Sequence, residues 1–233
     1  MKSFEKMGGI AALYMAAAYV AGMVFFLLVL NSTGIVEPAQ KLASLLDNHT
    51  GIYIMNLVDY VVFGVALVVL SLALYERLKA GAPATMQIAT AVGLIWAGML
   101  IASGMIANVG MDKVVGLSAT NMSQASSAWL VIDSVSLGLS GNGEVLGGLW
   151  VLLVSWTALR SGGLPRLLNF LGVLIGAAGL LSVVPALKDL MIIFGMGQIV
   201  WFVWLGIALI RGGSHAAEQK SGTLISSQKT ASI

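Results

Sequence analysis

The 233-residue chain has no cysteine, only two histidines and four prolines, and just 9% of its residues are charged. Without cysteine there can be no disulfide, thiolate metal site or cysteine nucleophile. Two histidines in separate parts of the chain, His49 and His215, offer little from which to build a haem or metal centre. A soluble domain carries roughly 25% charged residues, so the scarcity of charge points away from water as the surrounding solvent. The net charge of +2 is too small to suggest a nucleic-acid partner. Catalytic signatures are missing as well. The glycine-rich stretch Gly138–Gly148 lacks the Lys-Ser/Thr of a phosphate loop, and there is no G-x-S-x-G or H-E-x-x-H. No cofactor is expected, and the balance leans away from an enzyme.

What the chain does have is apolar surface: 58% of residues are hydrophobic and the mean hydropathy is +0.95. The expected partner is therefore a lipid bilayer. Lipid cannot satisfy loose backbone groups, which leaves a helix bundle or a closed barrel. Apolar runs longer than 18 residues without alternation exclude the barrel. The fold class is all-α, a polytopic bundle. The runs place six spans in residues 1–211, at Gly8–Leu30, Gly51–Tyr75, Ala84–Asn108, Glu144–Arg160, Leu167–Leu187 and Leu190–Ile210. The first run is too long for a cleaved signal peptide and is read as retained. Asn31–Thr50 and Met111–Gln124 read as loops. Ser126–Leu139 is amphipathic, and either lies on the membrane surface or extends the fourth span outward. Gly138, Gly141 and Gly143 favour a break after it. Residues 212–233 are rich in Ser, Gly, Gln and Lys and are expected to be disordered.

Basic residues orient the spans. With the N-terminus in the cytoplasm, Lys2, Lys6, Arg77, Lys79, Arg160, Arg166, Arg211, Lys220 and Lys229 fall inside. Only Lys41, Lys113 and Lys188 fall outside, which predicts an inner-membrane protein with both termini cytoplasmic.

The acids distribute the other way, and Asp59 stands out among them. It lies roughly 12 Å below Gly51, close to the middle of a ~30 Å hydrocarbon layer. A carboxylate there costs a few kcal/mol and needs shelter from the rest of the molecule. Asn56, one turn earlier, shares its face. Glu144 opens the fourth span, where the alternative role is an acid at a helix N-terminus. Gln198 lies inside the sixth span, and Lys188 is a conceivable counter-ion. Asn56, Asp59, Glu144 and Gln198 are the candidate ligand-binding residues; no metal site is expected. Small residues at Gly172, Gly176 and Gly179, and at Ala89, Gly93 and Ala97, form seams for close helix packing or a homo-oligomer face.

The stretch Gly148–Leu181 contains Arg160-Ser161-Gly162, then Pro165-Arg166 and Gly172. This resembles the bacterial domain-of-unknown-function 4386 family, in which an Arg-Ser-Gly-x-x-Pro-Arg turn joins two spans. The resemblance implies a six-span fold and carries no chemistry with it. The leading functional expectation is binding or transport of a small solute, ion or lipid through an outward-facing pocket around Asp59. The alternative is a sensor or assembly subunit acting through contacts with a membrane partner.

Overall fold

The computed structural model describes residues 2–30, 37–140 and 144–230, with side chains as far as Gly212. Among these residues there is no strand. Helix α1 (Lys2–Val24) ends in a π-helical turn, Phe25–Val29. Helix α2 (Pro38–Asn56), which kinks at Asn48 where the backbone leaves helical geometry (φ −119°, ψ 15°), is followed directly by a π-helical stretch at Leu57–Val62 and by α3 (Phe63–Leu78). Then come α4 (Pro83–Ser118), α5 (Met122–Ser140), α6 (Val145–Ser161) and α7 (Arg166–Leu181). The last helix, α8 (Leu190–Thr230), carries a helical backbone across residues whose composition predicts disorder. The expected break at Gly141 and Gly143 lies outside the described residues, as do the side chains of the tail.

Stretches Ser3–Leu28, Gln40–Leu78, Pro83–Ser118, Met122–Ser161 and Leu190–Gly212 are long and apolar enough to cross a membrane. Arg166–Leu181 is equally apolar but shorter. Packing sets α1, α3, α4, α6, α7 and α8 in a closed ring in that order, with α5 lying against the outside of α4. The basic residues gather at one end of this ring. Arg77, at the end of α3, pairs with Glu5 of α1 at 2.5 Å and donates from Nε to the Gly163 carbonyl at 2.9 Å. Three segments distant in sequence are thereby tied together at the basic end.

Small residues allow the ring to close. A methyl group at Gly148 of α6 would stand 2.7 Å from the Leu180 amide nitrogen and 2.8 Å from the Gly176 carbonyl oxygen of α7. The contact is backbone against backbone, so no side chain can move aside to make room. Ala89, Gly93 and Ala97 of α4 are buried as well. Both seams are thus filled within the chain.

Two expectations are corrected at the end opposite the basic one. Most of Asn31–Thr50 is not a loop, because α2 occupies it from Pro38, and Asn31–Val36 lies outside the described residues. Nor is Met111–Gln124 a loop: α4 runs on to Ser118 and α5 begins at Met122. The reason is a second, smaller core. Leu42, Leu45 and Ile52 pack against Met111, Val114 and Ala125. The polar residues between them, Asp47, His49, Asp112 and Lys113, are exposed. Segments that read as polar loops are amphipathic helices that cover one another.

Helix α5 is held to α4 by a reciprocal serine pair. Ser103 Oγ donates to the Ser136 carbonyl at 2.8 Å, and Ser136 Oγ donates to the Ser103 carbonyl at 3.0 Å. Hydrogen bonds of this kind between membrane helices contribute modestly, because the separated helices also find partners. A double-mutant cycle on Ser103→Ala and Ser136→Ala, read by unfolding in detergent, is expected to give a coupling of about 1 kcal/mol. Coupling near zero would mean the hydroxyls do not hold the two helices together.

Candidate functional site

Exposed apolar residues mark the lipid-facing part of the α2–α3 run: Tyr53, Ile54, Leu57, Val62, Val65 and Leu72. Asp59 lies six residues from Tyr53, roughly 9 Å, and nineteen from Leu78, roughly 28 Å. It is the middle residue of Gln40–Leu78, the stretch here that is long and apolar enough to cross a membrane.

Asp59 faces inward, on a π-helical stretch. π-Helical turns are uncommon and often sit at functional sites, since the extra residue leaves a backbone carbonyl without its usual partner and shifts the register of the side chains. Here Tyr14 of α1 donates its hydroxyl to the Val58 carbonyl at 2.8 Å, tying α1 to the widened turn. The second π-helical turn, Phe25–Val29, carries Phe26 to the same place.

Between these turns lies a cavity of about 400 Å³. Asp59 and Glu144 both line it, together with Ser140, the last residue of α5. Glu144 is at the N-cap position of α6, but its side chain makes no capping bond. Its backbone N–H donates to Ser182 Oγ at 3.4 Å. Asp59 Oδ1 is buried with no hydrogen-bond partner. Neither acid belongs to an ion pair among the described residues, where the pairs are Arg77–Glu5 and Lys79–Glu76. Gly22 of α1 completes the wall beside Asp59. A methyl group there would overlap the Asp59 carboxylate, so glycine is what permits the acid to lie against α1.

The floor of the cavity is aromatic. Tyr19, Phe63 and Trp96 line it and begin a closed set of ring contacts. Phe63 meets Trp96 at 6.3 Å between centroids, Trp96 meets Trp150 at 5.9 Å, and Trp150 meets Trp201 at 5.8 Å. Trp201 meets Phe202 at 5.5 Å, and Phe202 returns to Phe63 at 6.2 Å. Trp150 and Trp201 are fully buried. This plug fills the centre of the helix ring and lies between the cavity and the basic end.

The sequence-expected residues separate into three places. Asp59 and Glu144 both line the cavity. Asn56 does not join them: the π-helical register turns it away, and its Nδ2 donates to Asn108 Oδ1 at 2.9 Å. It lines a second space of about 340 Å³ with Lys41, Trp129 and Asp133. Phe26, Tyr60 and Leu137 line both spaces and so form the partition between them. Gln198 lines neither; it is buried in the bundle with its amide nitrogen and oxygen both unpartnered. Lys188 is exposed and forms no ion pair among the described residues. Sequence reading missed Tyr19, Gly22, Trp96 and Ser140. Tyr19 and Gly22 are one turn apart on α1, but nothing in that apolar run marks their face as different.

Five long apolar stretches and a shorter helix, packed around an aromatic centre with half-buried acids at one end, define an all-α multi-pass membrane bundle. The chain belongs to the family described as the domain of unknown function DUF4386, whose profile matches residues 10–212. No curated protein and no solved structure gave a match.

Proposed function

We propose that this protein binds a small solute, ion or lipid in the cavity shared by Asp59 and Glu144, as the recognition step of transport across the membrane. One observation carries the reading. Two carboxylates from different helices, neither in an ion pair among the described residues, line one space of about 400 Å³ between apolar helices. Membrane-embedded acids are rare, and where they serve structure alone they are normally paired with each other or with backbone. A cavity of this size suits a small organic molecule. With the basic end cytoplasmic, as the distribution of Lys and Arg favours, the site opens in the outer half of an inner membrane. The aromatic plug beneath it argues for a closed binding site that must rearrange, rather than a continuous channel. The reading of an assembly subunit draws no support from the glycine seams, which are occupied within the chain.

The test is native mass spectrometry of the protein extracted into lipid nanodiscs. The wild-type chain is expected to carry a non-covalent small-molecule adduct that Asp59→Asn and Glu144→Gln both lose while remaining folded. An adduct retained at full occupancy in both variants would remove these acids from recognition.

A further inference from the structure

Resting on the reading of this cavity as a ligand site, we infer that its ligand is a lipophilic organic cation, an amine or quaternary ammonium on an apolar body, which reaches Asp59 and Glu144 sideways from the lipid.

Four features of the cavity narrow the ligand to this class. The first is charge. Among the described residues the lining contains two carboxylates and no Lys, Arg or His; the lysine of the neighbouring space, Lys41, lies beyond the Tyr60 partition. An anion placed here would meet only like charge, whereas a cation would pair with acids that now have no partner. The second is the floor. Tyr19, Phe63 and Trp96 line it, and an organic cation binds aromatic rings well when water is excluded.

The third is size and coordination. A bare Ca²⁺ or Mg²⁺ requires six or more oxygen ligands, and two carboxylates beside aromatic rings supply too few. No group of three or more metal-ligating side chains occurs among the described residues. The fourth is the rim. Met23 of α1, Leu137 of α5 and Met191 of α8 line the opening, and all three are exposed and apolar. Hydrated ions would have to shed water against hydrocarbon to pass such a rim, whereas an amphiphilic cation already concentrates just below the lipid headgroups. Flexible methionines on two sides of the opening can adapt to bodies of differing shape.

The absence of cysteine makes the test clean, because Ser140→Cys places the only thiol of the chain in the cavity wall. In nanodiscs, labelling of this thiol by an uncharged maleimide is measured with tetraphenylphosphonium, with tetraphenylborate, or with tetramethylammonium present. The first two have the same size and shape and opposite charge. Tetraphenylphosphonium is expected to slow labelling at least tenfold, with little effect from tetraphenylborate or from the small hydrophilic ammonium. Adding Asp59→Asn or Glu144→Gln is expected to weaken that protection at least tenfold. Leu137→Cys, at the rim, repeats the measurement should Ser140→Cys not fold. Equal protection by the two tetraphenyl ions would overturn the cation assignment while leaving a ligand cavity in place. Rapid labelling that neither ion slows would overturn both the assignment and the ligand site.

Discussion

Replacing Asp59 by asparagine is expected to stabilise the protein, by about 1–2 kcal/mol, while it weakens ligand binding at least tenfold. Most substitutions in a folded core destabilise, so a gain is a demanding outcome. The reason is that, among the described residues, Asp59 belongs to no ion pair and its Oδ1 is buried without a hydrogen-bond partner. An isosteric neutral amide keeps the packing against Gly22 and removes the cost of holding a carboxylate away from water. Thermal unfolding in nanodiscs measures the stability, and tetraphenylphosphonium protection of the Ser140→Cys thiol measures the binding. A destabilised Asp59→Asn protein would make the acid a structural element, held there for packing. The trade of stability for a binding site is the behaviour expected of a functional residue.

The second large effect concerns the frame around the site. Gly148→Val is expected to cost about 3 kcal/mol or more, or to prevent folding, because the new side chain would strike the α7 backbone at Leu180 and Gly176. The matched control is Gly98→Val on α4, where nothing lies within 4 Å of the added carbon, and its expected change is close to zero. Chemical unfolding in mixed micelles compares the two. Equal effects would mean that α6 and α7 do not approach each other as described. Because Gly148 is one turn into α6, its packing also fixes where Glu144 begins that helix, so a partial loss of stability should be accompanied by weaker binding.

Much of this architecture is legible in the sequence because lipid imposes simple rules. Every backbone group must be satisfied within its own helix, so long uncharged runs announce the helices directly. Asp59 and Glu144 could be singled out for the same reason: an acid in an apolar run has no cheap explanation. The far end was harder. Leu42, Leu45 and Leu46 have helical spacing, yet the flanking Asp47, Asn48 and His49 give the segment the composition of a loop. Only the presence of Met111 and Val114 across from it shows why it folds.

The fate of Asn56 shows a different limit. In a regular helix it shares a face with Asp59, and spacing alone assigns both to one pocket. The π-helical stretch at Leu57–Val62 begins between them and sends Asn56 to Asn108. No residue in Leu57-Val58-Asp59-Tyr60 signals that change of register; it depends on contacts from elsewhere, including Tyr14 on α1. Gln198 and Trp96 illustrate the same point in opposite directions. Gln198, expected at the site from its place in a span, lies outside the cavity, and Trp96, which nothing in the sequence singles out, helps form its floor.

The most direct measurement is an experimental density map of the protein in lipid nanodiscs, at a resolution that defines side chains around residues 59 and 144. The expected result is non-protein density between the two carboxyl groups, resting on Tyr19, Phe63 and Trp96 and continuous with the lipid near Met23 and Met191. Carboxyl groups that point apart into the acyl chains, or a space closed by collapsed side chains, would contradict it.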